Sequence, residues 1–151
     1  MKIALGVDHA AYTYKEAIRR EVEALGHTVL DFGTNGPESI DYPCIALAVA
    51  RAVQHGEAEL GLFLCGTGIG GSIAANKVPG IRAALCHETL TARMSRLHNN
   101  ANVLCIGARV VGLDLTLEII RTWLNTPWSG EERHTRRLQM IADAEVANSV
   151  R

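Results

Sequence analysis

Aromatic residues make up only 5% of this sequence, and no basic stretch is interleaved with them, which excludes the stacking platform of a single-strand nucleic-acid binder. Surplus charge is missing too: Lys and Arg number 15 against 16 for Asp and Glu, a formal net charge of -1. So balanced a chain carries no global field to hold a polyanion, and nucleic acid is not an expected partner. No run approaches the roughly 20 apolar residues of a membrane helix, so no membrane partner is expected either. The opening MKIALGVDHAAY turns polar at Asp8 and His9, too soon for the apolar region of a secretory signal, and the expectation is a soluble, cytoplasmic protein. The four cysteines, Cys44, Cys65, Cys86 and Cys105, form no Cys-x-x-Cys pair and have no Cys-His ligand spacing, so no zinc site is expected. In a reducing compartment they are free thiols, and three of them read as small core residues.

What is present is a chain of 151 residues that is 48% hydrophobic, enough for one continuous core and one domain over residues 1–151. Short apolar runs at 3–7, 28–32, 60–65, 81–86 and 102–107 read as strands, and their unbroken apolar character is that of parallel strands covered on both faces. Helical patterns at 11–25, 43–55, 70–77, 88–98 and 113–125 separate them. The alternation predicts an α/β fold, a doubly wound five-stranded parallel sheet, with ligands beyond the carboxyl ends of the strands. Gly26 reads as a helix C-cap, and 129–151 as a terminal helix with no strand after it. Trp123, Leu124 and Trp128 nearby suggest apolar packing, on a second subunit or equally on the chain's own domain.

The strongest local motif is CGTGIGGSIAANK at 65–77, a glycine-rich turn between a strand and a helix. Gly66, Gly68, Gly70 and Gly71 allow backbone N–H groups to converge on an anion or an oxyanion at the positive end of a helix. Gly66, Gly68 and Gly71 also fit the dinucleotide pattern G-x-G-x-x-G, with Glu88 where its ribose-binding acid would fall. That match is weak because the fingerprint normally follows the first strand, and glycines serving only a tight turn compete with both readings. Cys65 ends the preceding strand, where a thiol near a helix start is favoured as its anion and serves as a base or as a nucleophile. Asp8 and His9 follow the first strand at the same sheet edge, and Asp41 and Tyr42 precede Pro43 at a helix start. For His9 a ligand role and a surface role balance; for Tyr42 half-buried packing is slightly favoured. His98 and Asn99 gather with other polar residues before the fifth strand, and His98 suits a proton shuttle. Arg109 follows that strand, while Arg133 and Arg137, four apart, share one helix face fit for a phosphate or merely for solvent.

These segments together resemble the B-type ribose-5-phosphate isomerase family, which includes allose- and galactose-6-phosphate isomerases. The resemblance runs over nearly the whole chain: DHAAY at 8–12, DYP at 41–43, CGTGIGGSIAANKVPGIRAA at 65–84, HNNANVL at 98–104, GARVVGLDLT at 107–116 and RHTRR at 133–137. It implies an aldose-ketose isomerase that interconverts ribose 5-phosphate and ribulose 5-phosphate through an enediolate, in the pentose phosphate pathway, with no metal or other cofactor. It implies a homodimer or a dimer of dimers whose active sites draw on both subunits, the terminal helix packing on the partner. Cys65 would take the C2 proton and His98 would open the furanose ring. Gly66, Thr67, Gly68, Gly70 and Gly71 would hold the oxyanion. Asp8, Tyr42 and Asn99 would bind sugar hydroxyls, and His9, Arg109, Arg133 and Arg137 the phosphate. Residues 66–72 contain no acid, which places the chain with the members that use cysteine as the base. Ala10 and Ala11 stand where glycines are common, Asn100 where an aspartate is, and Gly-Glu-Glu precedes Arg133. Those differences bear on the sugar more than on the reaction. A six-carbon sugar phosphate is the nearest alternative substrate, and a non-catalytic nucleotide- or sugar-phosphate-binding module the alternative from another class.

Overall fold

Side-chain alternation sorts the three central strands of this chain onto two apolar faces. The computed structural model describes residues 1–149. Strands β1 (Lys2–Val7), β2 (Thr28–Asp31), β3 (Leu60–Cys65), β4 (Ala83–Leu85) and β5 (Val103–Gly107) form one sheet in the order β2-β1-β3-β5-β4, parallel throughout. Helices α1 (Lys15–Ala24), α2 (Tyr42–Gln54), α3 (Ile69–Ala75), α4 (Thr89–Asn99) and α5 (Leu113–Leu124) connect and flank the strands, and α6 (Glu132–Ser149) ends the described chain. On one face Leu5, Leu62, Leu64 and Ile106 pack with Ile18 of α1, Ala92 of α4 and Ile119 and Trp123 of α5. On the other, Ala4, Phe63, Cys65 and Cys105 meet Ala46 and Val49 of α2 and Ala75 of α3. Both faces are covered, so the strands read as unbroken apolar runs. Full burial of each large aliphatic or aromatic side chain stabilises the fold by about 1.5–3 kcal/mol.

Local chemistry sets where the elements stop. Gly26, at φ +82°, ends α1 in the left-handed region, and the His27 amide donates back to the Val22 carbonyl at 3.2 Å. The expected helix over 11–25 begins instead with a tight 3-10 turn, Tyr12–Tyr14, and becomes α-helical at Lys15. The Tyr14 hydroxyl reaches the Ala108 and Val111 carbonyls at 3.4 and 3.3 Å, pinning that turn to the segment after β5. Strand β4 is shorter than the run at 81–86, and asparagine side chains take hydrogen bonds at its start. Asn76 accepts from the Ala83 amide at 2.8 Å and donates to the Ala83 carbonyl at 2.9 Å, and Asn102 accepts from the Arg82 amide at 2.8 Å. This closes an exposed sheet edge.

Trp123 is fully buried against its own domain, with Nε1 donating to Ser95 Oγ at 3.1 Å. Helix α6 covers the structure less closely: Met140, Ile141 and Val146 stay exposed, and Glu145 accepts from the Gly80 amide at 2.9 Å. The expected terminal segment 129–151 extends two residues past the described ones. Among the described residues, no helix is long and apolar enough to cross a membrane.

Candidate active site

The sheet order reverses direction between β1 and β3, so the chain leaves their carboxyl ends toward opposite sides and opens a crevice there. Val7 pairs with Leu64 and Cys65 with Gly107, which brings the ends of β1, β3 and β5 side by side. A cleft of about 540 Å³ lies at these ends, lined by Asp8, His9, Tyr42, Cys65, Thr67 and Arg109 among others.

Asp8 is buried, its amide bound to the Leu64 carbonyl at 3.0 Å and its Oδ1 accepting from the Ala10 amide at 2.8 Å. The carboxylate therefore folds the turn after β1 as well as facing the cleft. His9 Nδ1 accepts from the Ile40 amide at 3.3 Å, which leaves Nε2 as the N–H donor of the neutral ring. Tyr42 opens α2, and its hydroxyl crosses above Gly70, where an added Cβ would lie 2.2 Å away. Arg109 lays its guanidinium over Gly66 while its own amide donates to the Gly66 carbonyl at 2.9 Å.

Cys65 is 4% exposed, the last residue of β3, with its sulfur side on the α2–α3 face and the cleft beyond it. Cys105 within β5 and Cys86 just after β4 are buried, and burial pushes both thiols up from their usual pKa, which keeps them protonated and inert. Cys44 departs from expectation: it is exposed on α2 rather than a core residue. After Cys65 the turn depends on Gly68 at φ +76°, and its backbone leans on Gly107, where a Cβ would lie 2.6 Å from the Thr67 carbonyl carbon. The Thr67 hydroxyl accepts from the Ile69 amide at 3.4 Å. The Ser72 amide is the first to reach back to the Gly68 carbonyl, at 3.0 Å, so the amides ahead of it stand at the open start of α3. The result is a thiol, a set of backbone donors, a carboxylate, a phenol and two cationic or potentially cationic groups around one space.

Four residues of the expected site are elsewhere. His98 and Asn99 end α4, which runs back from the carboxyl edge of β4 to the starting edge of β5, the edge opposite Cys65. Asn99 lines a separate groove of about 400 Å³ with Arg82 and Leu138. Arg133 and Arg137 are exposed on α6, Arg133 paired with Glu131 at 2.8 Å. His98 stacks on His134 at 4.3 Å between centroids and 17° between planes. One chain thus carries two separated groups of the expected residues.

Glu88, the acid required by the dinucleotide alternative, is committed elsewhere. Its carboxylate accepts from the Leu90 and Thr91 amides at 2.5 and 2.8 Å and caps α4, and hydrogen bonding, first from the Thr91 side chain, holds it below the usual carboxylate range. Of the residues that set this chain apart, Ala10 lines the cleft, Ala11 is fully buried, and Asn100 adopts φ +42° to end α4. Sequence reasoning missed His87, whose Nε2 accepts from the Gly107 amide at 3.1 Å, and the stack of His134 on His98. Neither pairing has a spacing that could signal it. It also missed the apolar rim of Ile69 and Ile73, which the i, i+4 spacing along α3 does show. Among the described residues, no three His, Cys, Asp or Glu side chains are grouped to hold a metal ion.

Comparison with known proteins finds relatives in sequence and in fold. The model of the ribose/galactose isomerase family matches residues 3–141. Ribose-5-phosphate isomerase B of Escherichia coli (strain K12) is 46% identical, over 95% of this chain and 96% of that protein. D-erythrulose-4-phosphate isomerase 2 of Mycolicibacterium smegmatis is 41% identical, over 97% and 99%. The structure of ribose-5-phosphate isomerase B from Clostridium thermocellum superposes with a TM-score of 0.95 at 52% identity, covering 98% of this chain and 99% of that one.

Proposed function

The chain belongs to the ribose/galactose isomerase family, and from that premise we infer that it is an aldose-ketose isomerase interconverting ribose 5-phosphate and ribulose 5-phosphate. The observation that carries the chemistry is the Cys65 thiol bordering both the glycine turn and the cleft. In the proposed mechanism the Cys65 thiolate removes the C2 proton of the open-chain aldose. The C2–H electron pair becomes the second C1–C2 bond, and the carbonyl oxygen at C1 gains the charge. Backbone N–H groups of the turn, with the Thr67 hydroxyl, meet that oxyanion as it forms. The Cys65 thiol then returns the proton to C1 while the C2 hydroxyl passes its own proton to the C1 oxyanion, so that C1 ends as the alcohol and C2 as the ketone. Asp8 and Tyr42 hold sugar hydroxyls, and His9 and Arg109 take the phosphate.

The remaining parts come from a second copy of the chain in this reading. His98, which opens the ring, Asn99, and Arg133 and Arg137, which complete the phosphate grip, lie too far round one chain to serve its own cleft. The exposed apolar rim of Ile69 and Ile73, 52% and 57% exposed, supports a partner at that border. The site works as a homodimer or within a dimer of dimers.

The test is incubation with ribose 5-phosphate in deuterated water containing a chelator. Product carrying solvent deuterium at C1 is expected; no turnover, or turnover restored only by added metal, overturns the reading. The relative that isomerises D-erythrulose 4-phosphate favours one second reading, a four-carbon substrate. A panel of erythrulose 4-phosphate, ribose 5-phosphate, and allose and galactose 6-phosphates ranks these by kcat/KM.

A further inference from the structure

Parallel strands leave an unpaired amide wherever one strand outruns its neighbour. Here β5 outruns β4. The Cys86 amide donates to the Cys105 carbonyl at 3.1 Å, the last backbone rung between them. Two residues on, the buried Gly107 amide points the same way, past the end of β4, and meets not a carbonyl but the Nε2 of His87 at 3.1 Å. Nε2 is the acceptor in this bond, which assigns the ring N–H to Nδ1.

What hangs from Gly107 is the catalytic turn. Its Cα packs on the Thr67 backbone with no room for a Cβ. The next two amides, of Ala108 and Arg109, donate to the Cys65 and Gly66 carbonyls at 2.8 and 2.9 Å. The position of β5's end therefore sets both the base and the arginine above Gly66. Resting on the isomerase reading above, we propose that His87 is a positioning residue for the reaction, fixing the end of β5 and through it Cys65, Thr67 and Arg109. It touches neither substrate nor the reacting atoms.

The experiment compares parent, His87→Leu and His87→Gln for kcat, KM and hydrogen exchange of the Gly107 amide. Glutamine offers an amide oxygen where Nε2 accepts; leucine offers nothing. The Leu variant should lose about tenfold in kcat with KM within about twofold, since a small misplacement of catalytic groups acts on the transition state. Its Gly107 amide should exchange about tenfold faster or more, and the Gln variant should recover most of both. A Leu variant with parental kcat, or a Gln variant as slow as Leu, overturns the proposal. The parent separates this from the wider reading: if the parent turns over no phosphosugar, the isomerase assignment fails, whereas an active parent beside an unaffected Leu variant sinks only the role of His87.

Discussion

Cys65 and Cys105 occupy the same face of neighbouring strands, two residues out of step, yet only Cys65 reaches the end of its strand and the cleft. Two residues of register separate a thiol that borders the cleft from one sealed in the core. Replacing Cys65 by alanine should therefore lower kcat by about 10³-fold while the circular dichroism spectrum stays that of the parent, because a proton-transfer group is worth roughly 10²–10⁴ in rate. Assaying ribose 5-phosphate isomerisation beside that spectrum checks it; retained turnover would move the base elsewhere. Gly71 makes a different demand. A Cβ there would lie 2.3 Å from the Phe63 ring, which is fully buried between α2 and α3. Gly71→Ala should cost about 1–3 kcal/mol of stability through overpacking, read from urea denaturation. Thus the glycines of the turn are not interchangeable: Gly68 supplies a backbone angle, whereas Gly71 supplies space against the core.

At the scale of elements, the joint between α4 and α6 is a pair of stacked imidazoles. His134 is 5% exposed, its Nε2 has no hydrogen-bond partner, and Glu131 Oε2 lies 4.0 Å off. Burial, then His98 on α4, and Arg133 and Arg137 on its own helix, lower its pKa, Glu131 opposing them only in part. With the folded pKa depressed, the unfolded chain binds the proton more readily, so stability rises with pH in this window. The contribution is intact above the ordinary imidazole value of about 6.5 and is lost as pH falls from there toward the lowered folded pKa. Thermal midpoints measured from pH 7.5 down to about 5 should fall more steeply for the parent than for His134→Phe, which keeps the stack without the proton. Equal slopes would sink this account. The elements themselves were legible in the sequence because the central strands are apolar on both sides and the helices between strands mainly on one. Their order was not: periodicity carries no information about β5 inserting between β3 and β4. Nor was the start of β4, where the Asn102 side chain takes the Arg82 amide from outside the strand.

For the whole molecule, the sheet has two edges and the expected site residues divide between them. The half near Cys65 was legible, since residues just after parallel strands must share one edge. The position of His98 and Asn99 was legible on the same logic, because a helix returning between parallel strands ends at the starting edge; motif reading passes over that geometry. A site built from both halves requires two chains related by symmetry, each lending its His98 end to the other's cleft. Mixing decides this. One chain carries Cys65→Ala; the other carries His98→Asn together with Arg137→Ala; each alone should be nearly inactive. In an exchanged equimolar mixture about half the dimers pair unlike chains, and in each of those one cleft unites a native Cys65 with a native His98 and Arg137. Roughly one quarter of parental activity should return. If each chain served its own cleft, every site in the mixture would lack one half or the other, and activity would stay at the level of the separate variants. Light scattering on the same samples should give the mass of a dimer or its double, and a monomeric mass with full parental activity would remove the need for a partner altogether.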